Sequence, residues 1–128
     1  MTNLLRAALL LGGLAFLLIG TGFLIAPVQL GATFGVEAIG AQGHSSMRAD
    51  FTAFFWVAGG SLVWGGWRQQ GEVLLVAAAL IGIALLGRVI SLLVDGSYDG
   101  ALGPMAVEAV TLALAVTGYR MFGKSGLR

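Results

Sequence analysis

The 128-residue chain is 58% hydrophobic, carries seven basic and six acidic side chains for a formal net charge of +1, and contains no cysteine. That balance lies far outside a soluble globular composition. It excludes disulfides, thiolate metal sites and cysteine nucleophiles, and it lacks the basic surplus of a nucleic-acid binder. The chain reads instead as an all-α integral membrane protein, a single domain spanning residues 1–128. Four apolar stretches, about 4–26, 49–67, 73–94 and 104–122, approach the roughly 20 residues needed to cross hydrocarbon, and predict a four-transmembrane-helix bundle.

The first stretch is too long for the ~7–15-residue apolar core of a signal peptide. Pro27 directly after Ala26 also makes a poor cleavage site, so the segment reads as an anchor and first helix of the bundle. Pro27 ends that helix, because its ring disfavours helical geometry in the preceding residue. A glycine-rich loop is expected from Pro27 to Met47. The short amphipathic piece Val28 to Val36 within it reads either as a surface-lying segment or as irregular chain. The GHSS stretch places His44 in that loop as a solvated side chain, unable by itself to form a metal site.

Helix two opens on Arg48, Asp50, Phe51, Phe54, Phe55 and Trp56 and closes on Trp64 and Trp67. Such aromatics suit interfacial belts, or alternatively the wall of an apolar ligand pocket. The short link Arg68 to Glu72 makes helices two and three a tight hairpin. DGSYDGALGP, Asp95 to Pro104, has the Asp-Gly and Gly-Pro dipeptides of a turn before helix four. Arg6, Arg68, Arg120, Lys124 and Arg128 fall on one side of this path, so the positive-inside rule puts both termini in the cytoplasm. Small residues four apart, Ala8 with Gly12, Ser61 with Gly65 and Ala78 with Gly82, are expected to allow close helix approach.

Arg88 lies inside an apolar run, roughly 10 Å below the outer mouth of its helix at 1.5 Å per residue. A lone arginine at such depth costs at least ~2.5–3.5 kcal/mol on insertion scales, so it demands partners. At about 100° per residue, Ala84, Arg88, Ser91 and Asp95 share one face of helix three, and Glu108, Thr111, Ala115 and Tyr119 share one stripe of helix four. Asp50 shares its side of helix two with Phe54, Val57 and Ser61. Arg48 points almost oppositely and snorkels or closes the mouth. Because guanidinium can bridge two carboxylates, the expectation is an Asp50/Arg88/Glu108 network facing an inner cavity. The surplus carboxylate could hold a proton, which makes Asp50 and Glu108 candidate catalytic groups. The same charges could equally serve only to lock the helices in register.

No helix-borne histidine pair, phosphate-binding glycine loop, nucleophile elbow or haem-type histidine is present, so no metal or cofactor is expected. Helix one carries no acid, which excludes the pattern of a small drug/proton exporter.

FLIAP at the end of helix one, FGV at Phe34 to Val36, MRADF at Met47 to Phe51, GRVISLLVDG at Gly87 to Gly96, and Glu108 together resemble a family of short bacterial four-helix membrane proteins catalogued as domain of unknown function forty-three forty-five. The resemblance covers nearly the whole chain. It implies a multi-pass protein of the bacterial inner membrane and names no activity. More distantly the chain resembles DoxX-type four-helix proteins, and its polar-lined bundle is similar to membrane sterol isomerases and terpene cyclases, where acids in a helical cavity protonate hydrophobic substrates.

The leading functional expectation is an outer-leaflet polar pocket in which Arg48, Asp50, Phe54, Arg88, Ser91, Asp95 and Glu108 bind a small amphipathic or lipid-like ligand. One alternative is a structural subunit, whether in a homo-oligomer or docked on a larger membrane complex. The other is an isomerase or cyclase with Glu108 or Asp50 as proton donor.

Overall fold

The computed structural model describes residues 1–123; Lys124 and Arg128, counted above among the basic residues, lie outside the described residues. Among the described residues the regular structure is entirely helical: α1 (Thr2–Ile25), α2 (Pro27–Thr33), α3 (Gly40–Ser46), a π-helical turn (Met47–Phe51), α4 (Thr52–Arg68), α5 (Gly71–Val94) and α6 (Leu102–Gly123). Ala26, pushed out of helical geometry to φ −134° and ψ 65°, separates α1 from α2. Pro27 then opens α2 as a first-turn residue, where its missing N–H costs nothing.

The expected loop from Pro27 to Met47 therefore contains two short helices, and His44 belongs to α3. Its Nδ1 lies 2.7 Å from the Gly40 carbonyl oxygen. The reason is tertiary. Met47 is buried against Gly31, the Val36 N–H donates to the Gly31 carbonyl at 2.8 Å, and Phe34 and Val36 pack against the core. The segment is thus pinned at several points. Helix two likewise begins well before residue 49, because α3, the π turn and α4 follow one another without a break.

The turn between α4 and α5 needs only Gln69 and Gln70. Gln69 adopts left-handed geometry, φ 54°, as the helix cap, and the Gln70 N–H donates to the Gly65 carbonyl at 3.1 Å. The α5/α6 link turns on Gly96 (φ 90°) and Gly100 (φ 83°), a region that glycine enters without a Cβ penalty.

In space α1 packs beside α4, α4 beside α5 and α5 beside α6, with a lighter α1/α6 contact closing the ring. One end of this bundle carries Arg6, Arg68 and Arg120 and is called the basic end here; the other carries Glu37, Asp95 and Asp99 and is called the acidic end. Outward faces are apolar. Leu4, Leu11, Leu18 and Ile25, seven apart on α1, are all exposed, as are Ile83, Leu86, Ile90 and Leu93 on α5. Water would not tolerate such contiguous stripes, whereas hydrocarbon suits them. α1, α5 and α6, with mean hydropathies of 2.4, 2.6 and 1.4, are long and apolar enough to cross a membrane. α4 has 17 residues. The chain is therefore a helical, multi-pass membrane protein.

The α1/α4 seam shows why glycine is abundant. A methyl added at Gly13 would lie 2.7 Å from the Gly59 carbonyl oxygen, and one at Gly59 would lie 2.7 Å from that of Gly13. One heptad further toward the acidic end, the Thr52 hydroxyl donates to the Gly20 carbonyl at 3.2 Å. One heptad the other way, Arg6 Nε donates to the Gly66 carbonyl at 3.2 Å. The antiparallel register is thus set by residues 6, 13 and 20 against 66, 59 and 52. This corrects the small-residue expectation on α1: Gly12 has open space beside it, and it is Gly13 that meets α4. Elsewhere Gly65 receives the Leu74 side chain, while Gly82 makes only ordinary contact with Leu112.

Candidate functional site

The packing of α5 against its neighbours is uneven along its length. Its buried residues are Gly71, Leu74, Ala77, Ala78 and Ile81, all toward the basic end. Those of α6 are Thr111, Ala115, Gly118 and Phe122, again toward the basic end, while Tyr119, expected on the same stripe as Ala115, is exposed. Beyond Ile81 and before Thr111 the two helices open, and that is where the charges lie.

Arg88 Nε donates to both carboxylate oxygens of Glu108, at 2.8 and 2.9 Å. It is the only ion pair among the described residues. Guanidinium has five N–H donors, and this contact uses the Nε donor alone. Among the described residues the terminal nitrogens meet no carboxylate; the side chain beside them is the phenol of Tyr98. They are not stranded in a dry interior, since the Arg88 side chain is 29% exposed and Glu108 12%.

On one side of this pair lies a cleft of about 300 Å³ lined by Phe34, Asp50, Phe51, Phe54, Phe55, Ala84, Arg88 and Glu108. Its aromatic wall is held from behind by Phe23, fully buried, whose ring stacks on Phe51 at 4.6 Å and on Phe55 at 5.8 Å and tilts against Phe34 at 5.4 Å. Edge contacts of Phe55 with Phe16, Phe34 and Phe54 complete the cluster. Phe51, Phe54 and Phe55 thus turn inward rather than forming an interfacial belt. Trp56 faces outward, donating from Nε1 to the Thr21 hydroxyl at 3.2 Å.

A second cleft of about 240 Å³ lies on the other side of Arg88, lined by Ala84, Gly87, Arg88, Ser91, Leu92, Tyr98 and Met105. Ala84 and Arg88 border both. The phenol of Tyr98 is a near neighbour of the guanidinium.

These positions revise the expected three-residue network. Asp50 lines the aromatic cleft with Arg88 and Glu108, yet it makes no ion pair among the described residues. It sits exposed on the π turn, on the border of the same cleft. Arg48 is turned away altogether and donates from Nε to the Leu24 carbonyl at 3.1 Å, so it satisfies the end of α1. Asp95 is the exposed residue that ends α5 and lines neither cleft. Phe54 and Ser91 lie on opposite sides of Arg88, one in each cleft.

Sequence reasoning met Phe34 only in the FGV motif of the family resemblance and Tyr98 only in a turn, and placed neither at the site. Helical periodicity has no bearing on them, because both lie in connecting segments that the fold bends back onto the bundle. The available signals were the FGV motif at Phe34 and, at Tyr98, composition alone, an aromatic residue between Ser97 and Asp99.

A domain of unknown function, DUF4345, matches residues 4–119, and the chain belongs to that family. No curated protein and no solved structure matches it.

Proposed function

We propose that this protein is a four-span bundle of the bacterial inner membrane, with both termini in the cytoplasm, that binds a small amphipathic or lipid-like molecule in its outer-leaflet half. The basic end, with Arg6, Arg68 and Arg120, supports the cytoplasmic assignment. α4 with the π turn before it is roughly 30 Å long, close to the hydrocarbon thickness, which supports counting it as the fourth span.

The observation that carries the binding reading is the aromatic cleft of about 300 Å³ with Arg88, Glu108 and Asp50 on its border. A mostly apolar concavity with a few convergent polar groups is the usual form of a small-molecule site. Four phenylalanines offer flat apolar surface for a chain or ring, and the guanidinium offers a polar anchor at the edge. Asp50 borders the same cleft and makes no ion pair among the described residues, which supports proton transfer as a second role of the cleft.

Native mass spectrometry on the full chain extracted in a mild nonionic detergent tests the reading. The expected result is a co-purifying amphiphile at one copy per chain whose occupancy falls in Phe54→Ala. A chain that carries no amphiphile and takes none up when lipids are added back would overturn it.

A further inference from the structure

The smaller cleft beyond Arg88 has its own chemistry. On the long helices, Thr21, Ser61, Thr111 and Thr117 each return the hydroxyl to the carbonyl four residues earlier, at 2.7 to 2.8 Å. Ser91 makes no such bond, although it stands on the same kind of helix, and its side chain lines the cleft. Tyr98, also on the cleft wall, places its phenol beside the guanidinium. The terminal nitrogens of Arg88 have no carboxylate on them, because Glu108 is held by Nε. Three kinds of donor therefore meet around a space that contains no carboxylate on its wall. Asp95 and Asp99, the nearest acids in sequence, are exposed and are not among the lining residues.

The neighbouring cleft is the reverse. Glu108 neutralises Arg88 there, and Asp50 adds a negative charge with no cation of its own beside four phenyl rings. An acid would be repelled from that side and drawn to the other. Both clefts border Arg88 and Ala84, so a single molecule can lie across them.

Resting on the binding reading above, we infer that the ligand is an anionic amphiphile, with a carboxylate or phosphate head in the Arg88/Ser91/Tyr98 cleft and an apolar chain along the Phe34/Phe51/Phe54/Phe55 cleft. The guanidinium matches an oxyanion head through its fork of donors, and the two hydroxyls fill the remaining lone pairs. Asp50 sets the orientation by excluding the head from the aromatic side.

The test is equilibrium binding of palmitate, hexadecyl phosphate, hexadecanol and hexadecyltrimethylammonium to the full chain in nonionic detergent, with inorganic phosphate as competitor. The acids should bind at least roughly tenfold tighter than the alcohol, the usual worth of hydrogen bonds to a charged group. That ratio should shrink about tenfold in the Ser91→Ala/Tyr98→Phe double variant, which keeps the Arg88–Glu108 pair intact. Preference for palmitate would identify a fatty-acid carboxylate, preference for hexadecyl phosphate a phosphate ester, and displacement by millimolar inorganic phosphate the oxyanion alone; each supports an acid-binding cleft. If hexadecanol or the ammonium compound binds as tightly as palmitate, or the double variant keeps the full ratio, the acid inference falls while the amphiphile reading stands. If none of the four binds, both fall.

Discussion

Toward the basic end the α5/α6 pair packs closely. A methyl at Gly71 would lie 2.7 Å from the Tyr119 carbonyl oxygen, and the Leu74 side chain fills the notches left by Gly65 and Gly118. Toward the acidic end the same two helices bury nothing beyond Ile81 and nothing before Thr111, and the Arg88–Glu108 contact at 2.8 Å bridges the gap. Lipid supplies no hydrophobic drive between helices, so they hold together by backbone approach and by polar contacts. In the α5/α6 pair the basic end uses the first and the acidic end the second. Backbones in close approach leave no room between them, and a strap between opened helices leaves room on both of its sides. That is why the two clefts flank Arg88.

Substitutions chosen from each region should separate these two modes. The largest effect is expected from Gly59→Val. Its Cβ would fall 2.7 Å from the Gly13 oxygen and 2.9 Å from the Leu17 nitrogen, both backbone atoms that cannot swing aside. Overpacking costs ~1–3 kcal/mol where side chains can yield, and occasionally more. Loss of monodisperse protein on size-exclusion chromatography is the expected readout, and a wild-type profile and melting temperature would show that the seam is not rigid.

Glu108→Gln comes next. Removing one partner of a fully buried ion pair costs ~3–5 kcal/mol, but the exposure of Arg88 brings the expected loss down to roughly 1–3 kcal/mol. A double-mutant cycle with Arg88→Gln should return a favourable coupling between the two positions. Zero coupling would mean that α5 and α6 need no strap. Thr52→Val, which deletes the hydroxyl bonded to the Gly20 carbonyl, should lower stability by ~0.5–1.5 kcal/mol, measurable in unfolding titrations. The smallest effect belongs to Gly12→Ala. Nothing lies within 4 Å of the added methyl, so the helix propensity of alanine should stabilise by up to ~1 kcal/mol. A destabilised Gly12→Ala would assign the small-residue contact to Gly12 after all.

Gly12 and Gly13 show where sequence reading stops. Both sit among leucines, and the four-residue spacing of small residues points to Gly12, with Ala8, and not to Gly13. Only the crossing partner decides which one is an interface, and the partner's register lies 46 residues away at Gly59. Arg88 was easier. Its charge stands out against the apolar run, and the cost of burying it calls for an acid at similar depth. Glu108 was a natural candidate because both residues stand about six positions from the turn that joins their helices. The same depth argument overreached for Asp50. Depth says which charges lie at one level but not across which gap they face, and the π turn carries Asp50 on the rim of the cleft instead of into contact.

The sequence by itself determined that this is an all-helical membrane protein. It did so because hydrophobicity, helix length and proline placement act locally, and a chain this apolar has few other ways to satisfy its backbone. It also determined that Arg88 could not stand alone at its depth. Only the tertiary structure decided that Nε takes Glu108 while the guanidinium borders a second cleft beside Tyr98, that Phe34 and Tyr98 return from the links to wall the two clefts, and that α1 meets α4 through Gly13 and Gly59. Those outcomes depend on register and on the direction of side chains across helices, and no periodicity within a single helix encodes either.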